Sequence, residues 1–553
     1  MDTRLRSFLT PAVAAIVVLA GVVRFRGLAF GLPHTQARPD ETFIIEAVRT
    51  LLSGRVPHFY DYPWLYMWML SALYVAYYAC SMVGGTFHSI ADMVASWSHN
   101  WTPFFLISRG LSAALGTATV IVIFHLGRRL WGEATGLVAA FFLTLAFIHV
   151  RDSHFGTTDV AMTFFIVVAV LGLVVAHAGR TRSQFALAGF AAGIAAATKY
   201  NAVLLAAPFV ASYLVHIFES AGRRREAALD TRLLISGGAF LAAFSVGIPF
   251  VFLDRAGFVD AMRLLIEAMQ RGDMSVGLTN GWIHHVQFSL RYGVGVPLLL
   301  AGIVGSIAML TYEPLVAALV LSFPIAYYVA AGTVSYLFFR YAIPIVPFVC
   351  LAAAWLVCRS ADALARRIAR PSLRVPLSAA LVALASIAVV LPSARSVWAF
   401  DRVIRRTDNR VVLARWFAEN VPPGSSVLQS GSPYGHAQFA PALGYTEWVW
   451  HRKHLIFRVK GRPASGRPDW IVLQESPLPS YTQPIVRELL QSGYARVAEF
   501  KAVSIGNGLV YDRSDAFFVP FSGFERVIRP GPNFTVFRRL GPVNGEALDS
   551  DPR

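Results

Sequence analysis

Residues 104–131 read FFLISRGLSAALGTATVIVIFHLGRRLW, and the reading of this stretch decides the fold class. The run 104–126 is predominantly apolar and is followed at once by Arg128 and Arg129. It is long enough to cross a hydrocarbon core of about 30 Å, which takes roughly 20 residues of helix. An apolar span closed by paired arginines is the pattern of a transmembrane helix that ends at a cytoplasmic surface. The pattern recurs along the chain. Comparable runs cover 8–26, 131–149, 157–177, 184–198, 201–218, 232–253, 292–311, 314–331, 341–358 and 374–392, so eleven spans are expected.

Composition agrees with a polytopic membrane chain. Of the 553 residues 56% are hydrophobic and 15% charged, with a mean hydropathy of +0.53, more apolar surface than a soluble protein of this size hides in its cores. Forty phenylalanines and twelve tryptophans suit lipid-facing and interfacial positions. The net charge of +17 rests almost wholly on arginine, because the only lysines are Lys199, Lys453, Lys460 and Lys501. Basic loops flanking apolar spans account for it, and no nucleic-acid partner is expected. Cys80, Cys350 and Cys358 lie in apolar runs without metal-ligand spacing, and no disulfide framework is implied. Arg4 and Arg6 precede an apolar run from about Phe8 to Val23. No small-residue cleavage site follows it, so an uncleaved first span is expected rather than a signal peptide.

Sidedness follows from where arginine collects. A twelfth stretch, Pro63 to Val83, is also apolar enough to cross, and whether it crosses flips everything after it. If it does not, the cytoplasmic side gathers Arg128 and Arg129, Arg180 and Arg182, Arg223 to Arg225, and the run from Arg359 through Arg366, Arg367 and Arg370 to Arg374. The stretch 63–83 is therefore read as an interfacial or re-entrant element at the outer face. This places the first outer loop (27–103), the Arg151–Asp159 turn, Lys199–Asn201, the loop 254–291 and Phe339–Arg340 on one side. After Pro392 the chain turns polar, with amphipathic Val411–Glu419 and strand-like Val427–Gln429, Trp470–Gln474 and Phe534–Phe537. The expected organisation is an all-α polytopic membrane domain, 1–392, and a small α/β extracytoplasmic domain, 393–553.

Acids at a membrane surface are costly unless solvated or used. Asp40 and Glu41 open an amphipathic helix in ARPDETFIIEAVRTLLSG, where Asp40 could simply be an N-cap. Asp159 ends HVRDSHFGTTD, beside Arg151, Asp152 and His154, and it too could cap a helix. Both fall on the same face once sidedness is assigned. Two acids meeting there can share a divalent cation, or one can act as general base while the other positions a group. Asp40, Glu41 and Asp159 are thus the candidate catalytic acids, with Asp40 and Asp159 as candidate metal ligands and no other cofactor expected. Lys199 in ATKYN and Arg340 in FFRYAIP sit at outer span ends and, with Arg151, would clamp a lipid phosphate. His284 and His285 in GWIHHVQFSLRYG could join them.

In order and spacing these segments resemble the C-type superfamily of membrane glycosyltransferases, in particular relatives of the protein O-mannosyltransferases and of the lipid A aminoarabinose transferase. PDETFIIEA is similar to the first-loop Asp-Glu motif, SRGLSAALGTATVIVIFHLGRRLWG to the next span and its basic turn, and HVRDSHFGTTDVAMTFF to the second acidic turn. TKYN and RYAIPIVPF resemble later signatures, and DNRVVLARWFAENVPPGSSV the start of the outer domain in bacterial members. The resemblance implies a bacterial inner-membrane enzyme of the cell envelope. It would carry out an inverting transfer from a polyprenyl-phosphate sugar to a hydroxyl acceptor, with Asp40 as base, Asp159 holding the site and the basic residues receiving the phosphate. The chain departs from the aminoarabinose transferase by carrying Tyr62 where that enzyme places a lysine, which leaves sugar and acceptor open. A transporter or flippase of a lipid-linked glycan, and a non-catalytic envelope-assembly protein, are the readings from other classes.

Overall fold

The computed structural model describes residues 11–541 apart from 98, 221–229, 272–279, 452–453, 455, 465, 479–481 and 492. Arg4, Arg6, the start of the expected span 8–26, Lys453 and Arg223 to Arg225 lie outside the described residues. The chain divides into two units, one of 1–28 and 40–401, the other of 29–39 and 402–553.

The first unit is helical. In chain order its helices are α1 (Pro11–Phe25), α2 (Pro39–Leu52), α3 (Leu65–Val83), α4 (Ile90–Trp97), α5 (Thr102–Trp131), α6 (Glu133–Thr144), α7 (Phe147–Asp152), α8 (Thr158–Gly179), α9 (Arg182–Thr198) and α10 (Ala206–Glu219). They continue as α11 (Arg232–Val246), α12 (Pro249–Leu253), α13 (Arg255–Arg271), α14 (Gly281–Val294), α15 (Val296–Tyr312), α16 (Pro314–Thr333), α17 (Val346–Ile368) and α18 (Arg374–Ile404).

Among the described residues seven helical stretches are long and apolar enough to cross a membrane, or eight if α14 and α15, bent by 116° at their junction, count as one. Three shorter apolar helices, α1, α6 and α11, fall on further expected spans. Three of the expected spans are broken inside apolar sequence. The run 131–149 stops at Thr144 and restarts at Phe147, 232–253 is interrupted at Gly247, and 292–311 turns at Gly295, whose φ of 82° favours glycine. Such breaks survive in lipid only when the freed backbone groups find partners. At the α6–α7 break the partners are Arg24, fully buried, which donates from Nη2 to Leu143 O at 3.0 Å and from Nη1 to Thr144 O at 3.3 Å, and Ser393, whose Oγ donates to Leu145 O at 2.7 Å and accepts from Phe147 N at 2.9 Å.

Helix α3 is unbroken over 19 residues, so of the two expected forms of 63–83 the re-entrant turn is set aside and the interfacial helix is kept. Tyr66 Oη donates to Ser108 O at 3.1 Å and Tyr74 Oη to Phe104 O at 2.9 Å, both in the first third of the 30-residue α5. Helix ends are sorted by charge. Arg128 and Arg129 close α5, Arg180 and Arg182 flank the α8–α9 turn, and Arg366 and Arg367 close α17. The opposite ends carry Asp159 in the first turn of α8, Lys199 as the C-cap of α9, and Arg340 in the 3₁₀ turn Phe339–Ile345 that leads into α17.

The division between the two units falls after residue 401, and helix α18 runs through Pro392 to Ile404. Its buried face continues through Ser393, Val397 and Phe400, which holds the helix together past the proline. The second unit is α/β. A seven-stranded mixed sheet has the order β4 (Arg462–Pro463), β3 (Ile456–Val459), β2 (Thr446–His451), β1 (Ser426–Gln429), β5 (Trp470–Glu475), β7 (Asn533–Arg539), β6 (Tyr494–Phe500). Strand β1 is parallel to β2 and β5, and the other pairs are antiparallel. Helix α19 (Asn409–Asn420) packs Leu413 and Phe417 against Val427, Trp470 and Val536, and Asp408 caps it by accepting from Arg410 N at 2.9 Å.

Candidate active site

Helix α2 begins at Pro39 and α8 at Thr158, so Asp40 and Asp159 lie inside first turns and the N-cap readings are set aside. A carboxylate in a first turn still gains from the helix dipole. The turn before α17 is tight because Pro344 and Pro347 in FRYAIPIVP withhold backbone donors from a regular α-helix. It presents Arg340 inward, buried. Lys199 leaves α9 with extended backbone, φ −155°, which ends the helix and directs its side chain to α8.

These four residues meet. Arg340 Nη1 donates to Asp40 Oδ2, Arg340 Nε stands 4.0 Å from Asp159 Oδ2, and Lys199 Nζ donates to Asp159 Oδ1 at 2.6 Å. One guanidinium therefore bridges both acids. The Lys199 ammonium also lies 5.4 Å from the Tyr62 ring centroid and 5.5 Å from that of Tyr341, within cation–π range. Tyr62 and Tyr341 wall the cluster and were not foreseen as site residues. Desolvation and then the charge of Asp40 push the Asp61 carboxyl up from its usual range, although its side chain reaches the surface. The exposures of the two bridged acids differ: the Asp40 side chain is 28% exposed and that of Asp159 2%.

The other expected residues sit elsewhere. Successive residues on a helix point about 100° apart, and Glu41 accordingly faces away from Asp40. Its carboxylate is fully buried, accepts from Arg109 Nε at 2.9 Å and Nη2 at 2.7 Å, and takes the Gly156 N–H at 2.8 Å. A carboxylate so enclosed holds α2, α5 and the turn before α8 together and stands apart from the Asp40–Arg340–Asp159–Lys199 cluster. Gly156 permits this approach, since a Cβ there would stand 2.0 Å from Ser108 Oγ. Arg151 is buried, donates to Asp152 Oδ2 at 2.9 Å and lies 5.0 Å over the Phe155 ring, within the turn before α8.

The histidines divide. His285 Nδ1 pairs with Ser289 Oγ at 2.9 Å. His284 packs edge-on to Phe339, ring centroids 5.4 Å apart, next to Arg340, and among the described residues neither of its ring nitrogens has a hydrogen-bond partner. A divalent cation fits the site poorly. Among the described residues no group of three or more His, Cys, Asp or Glu side chains is placed to hold a metal, and the two carboxylates are already engaged by Lys199 and Arg340.

Residues 107–249 match the family described as dolichyl-phosphate-mannose-protein mannosyltransferase. Among solved structures, that of ArnT from Cupriavidus metallidurans in the apo state is similar over 98% of this chain and 100% of its own, at 13% identity and a TM-score of 0.50. The same protein bound to undecaprenyl phosphate matches over 96% and 98%, at 13% identity and 0.48. The apo oligosaccharyltransferase of Archaeoglobus fulgidus matches 74% of this chain at 14% identity and 0.45, and the match spans 58% of that longer protein. No curated protein matches the sequence.

Proposed function

We propose that this chain, which has the C-type fold of membrane glycosyltransferases, transfers a sugar from a polyprenyl-phosphate donor to a hydroxyl acceptor at the outer face of a bacterial cytoplasmic membrane, with inversion. The Arg-rich helix ends would face the cytoplasm and residues from about 405 onward would be exported. The observation that carries the reading is the unequal exposure of the two acids bridged by Arg340. Asp40 is open enough to meet a substrate, and Asp159 is sealed.

The roles follow from that difference. The acceptor oxygen attacks the anomeric carbon opposite the phosphate, the carbon–oxygen bond to phosphate breaks, and its electron pair leaves with the polyprenyl phosphate. The acceptor proton passes to Asp40. Back-side displacement in one step inverts the anomeric centre. Lys199 and Arg340 would take up the charge of the departing phosphate, while Asp159 fixes where both cations point. In the substrate-free protein each cation is already held by a carboxylate, so arrival of the phosphate exchanges one anionic partner for another. His284, beside Phe339, is the remaining candidate donor to the phosphate.

The direct test incubates the purified protein with a polyprenyl-phosphate-sugar pool and an envelope extract. Release of free polyprenyl phosphate matched by sugar on an acceptor is expected. Failure to turn over any lipid-linked sugar across such a pool would overturn the reading.

A further inference from the structure

The first three turns of α18 stand off from the rest of the helical unit. From Ser386 onward one face of the helix is buried, through Val390, Ser393, Val397 and Phe400 at steps of three or four. Continued toward the N-terminus, the same spacing reaches Val382, Ala379 and Val375, yet no residue from Arg374 to Ala385 is buried. That face looks instead into a cavity of about 760 Å³ shared with Ile16 of α1, Phe141 of α6 and Cys358 of α17. The Ser386 hydroxyl is buried on its wall with no hydrogen-bond partner among the described residues.

The mouth of the cavity is polar and carries net positive charge. It presents Arg366 at the end of α17 and Arg374 at the start of α18, against one carboxylate, Asp362, that already accepts from Ser378 Oγ. It lies about 30 Å along α17 from the Arg340 turn at 1.5 Å per residue, and so at the other end of the helices from the acid cluster. An apolar slot of this size, within the roughly 300–1,000 Å³ of small-ligand sites, with two guanidinia at its entrance, suits a molecule with an apolar tail and an anionic head.

We infer that this groove binds an anionic glycerophospholipid of the leaflet adjoining the Arg-rich helix ends, its phosphate on Arg366 and Arg374 and an acyl chain along Val375, Ala379 and Val382. The seat is separate from the sugar-transfer cluster. A headgroup held there would brace the loose start of α18 against α6 and α17.

The test is retention of dioleoylphosphatidylglycerol by the purified full chain, read by native mass spectrometry beside dioleoylphosphatidylcholine and a polyprenyl phosphate. The wild type should retain the anionic lipid over the zwitterionic one. Arg366→Gln with Arg374→Gln should weaken that retention by about tenfold or more, and Ala379→Phe, which fills the slot without altering charge, should do the same. Both arginines are exposed, so the charge variant carries the test alone if the phenylalanine variant fails to fold. Equal retention in wild type and charge variant, or of both lipids in the wild type, overturns the inference. So does selective loss of polyprenyl phosphate from Ala379→Phe, which would make the groove a seat for the carrier.

Discussion

Asp40 and Glu41 are neighbours in the chain, yet different arginines hold their carboxylates: Arg340 takes the open one and Arg109 the sealed one. A single Asp-Glu pair thus divides into a group open to the surface and a group that fastens the element carrying it. Substitution should separate the two.

Asp40→Asn keeps the size of the side chain, and Arg340 retains Asp159 nearby. Stability should change by less than about 1–2 kcal/mol. Loss of a positioned general base should lower turnover by roughly 10²–10⁴. Transfer by the monodisperse Asn variant at the wild-type rate would sink the assignment.

Glu41→Gln should behave in the opposite way. It leaves the fully buried Arg109 without its counter-charge, which typically costs about 3–5 kcal/mol. A Glu41→Leu, Arg109→Leu double variant should recover much of that loss and regain measurable transfer per folded molecule. Thermal unfolding in detergent, paired with the activity assay, decides; a catalytic Glu41 would leave the stable double variant inactive.

Arg24→Met removes the donors that cap the α6–α7 break and the contact of Arg24 Nη2 with His149 Nδ1 at 3.1 Å. An abandoned buried carbonyl costs about 1–3 kcal/mol, and the turn bearing Asp159 hangs on α7. A lower melting temperature together with reduced turnover is expected. Unchanged stability would show that water or lipid serves those carbonyls equally well.

The second unit should be acid-sensitive. Burial, then the charge of Arg410, holds the His34 imidazole down at about 3, and burial holds His436 at about 4. Both stay neutral in the fold, whereas the unfolded chain protonates near its ordinary value of about 6.5. Stability is therefore fully present above about pH 6.5 and drains as pH falls from there toward 4, by up to about 1.4 kcal/mol per pH unit for each group. Melting of the full chain between pH 7 and 4.5, followed by tryptophan fluorescence, should show the decline, and His34→Gln with His436→Gln should flatten it. An identical slope in the double variant would place the acid sensitivity elsewhere.

Alkaline phosphatase fused after residue 405 should be active, and a cytoplasmic fluorescent reporter at the same site dark. The reverse pattern would mean that α3 crosses the membrane and that the acid cluster faces the cytoplasm.

Much of this was legible in the sequence where one physical signal dominated. Apolar length marked the helices, arginine sorted their ends, and the four residues of the cluster are all charged groups at span ends. Val427–Gln429, Trp470–Gln474 and Phe534–Phe537 proved to be the adjacent central strands β1, β5 and β7, whose burial leaves an apolar signature. Edge strands such as β4 have none. Breaks such as Leu145–Ala146 were invisible because apolar sequence runs straight through them and the compensating groups, Arg24 and Ser393, lie 120 and 248 residues from the carbonyls they serve. Arg109 could have been found, since an arginine inside an apolar span is costly enough to demand a partner. The division of labour between Asp40 and Glu41 could not, because it depends on the rotation of α2 about its own axis.

Arg24 also imposes an order in time. Its carbonyl acceptors on Leu143 and Thr144 leave the ribosome 119 and 120 residues after it, a delay of roughly 6–24 s at about 5–20 residues per second. Through that interval the first helix must lodge in the membrane with a cation whose permanent partners do not yet exist. Its position in the last turn of α1 lets the side chain reach toward the headgroups meanwhile. The α6–α7 break can close only when the two segments meet, so the turn that carries Asp159 acquires its shape late, once a residue made near the beginning is recruited by one made much afterwards.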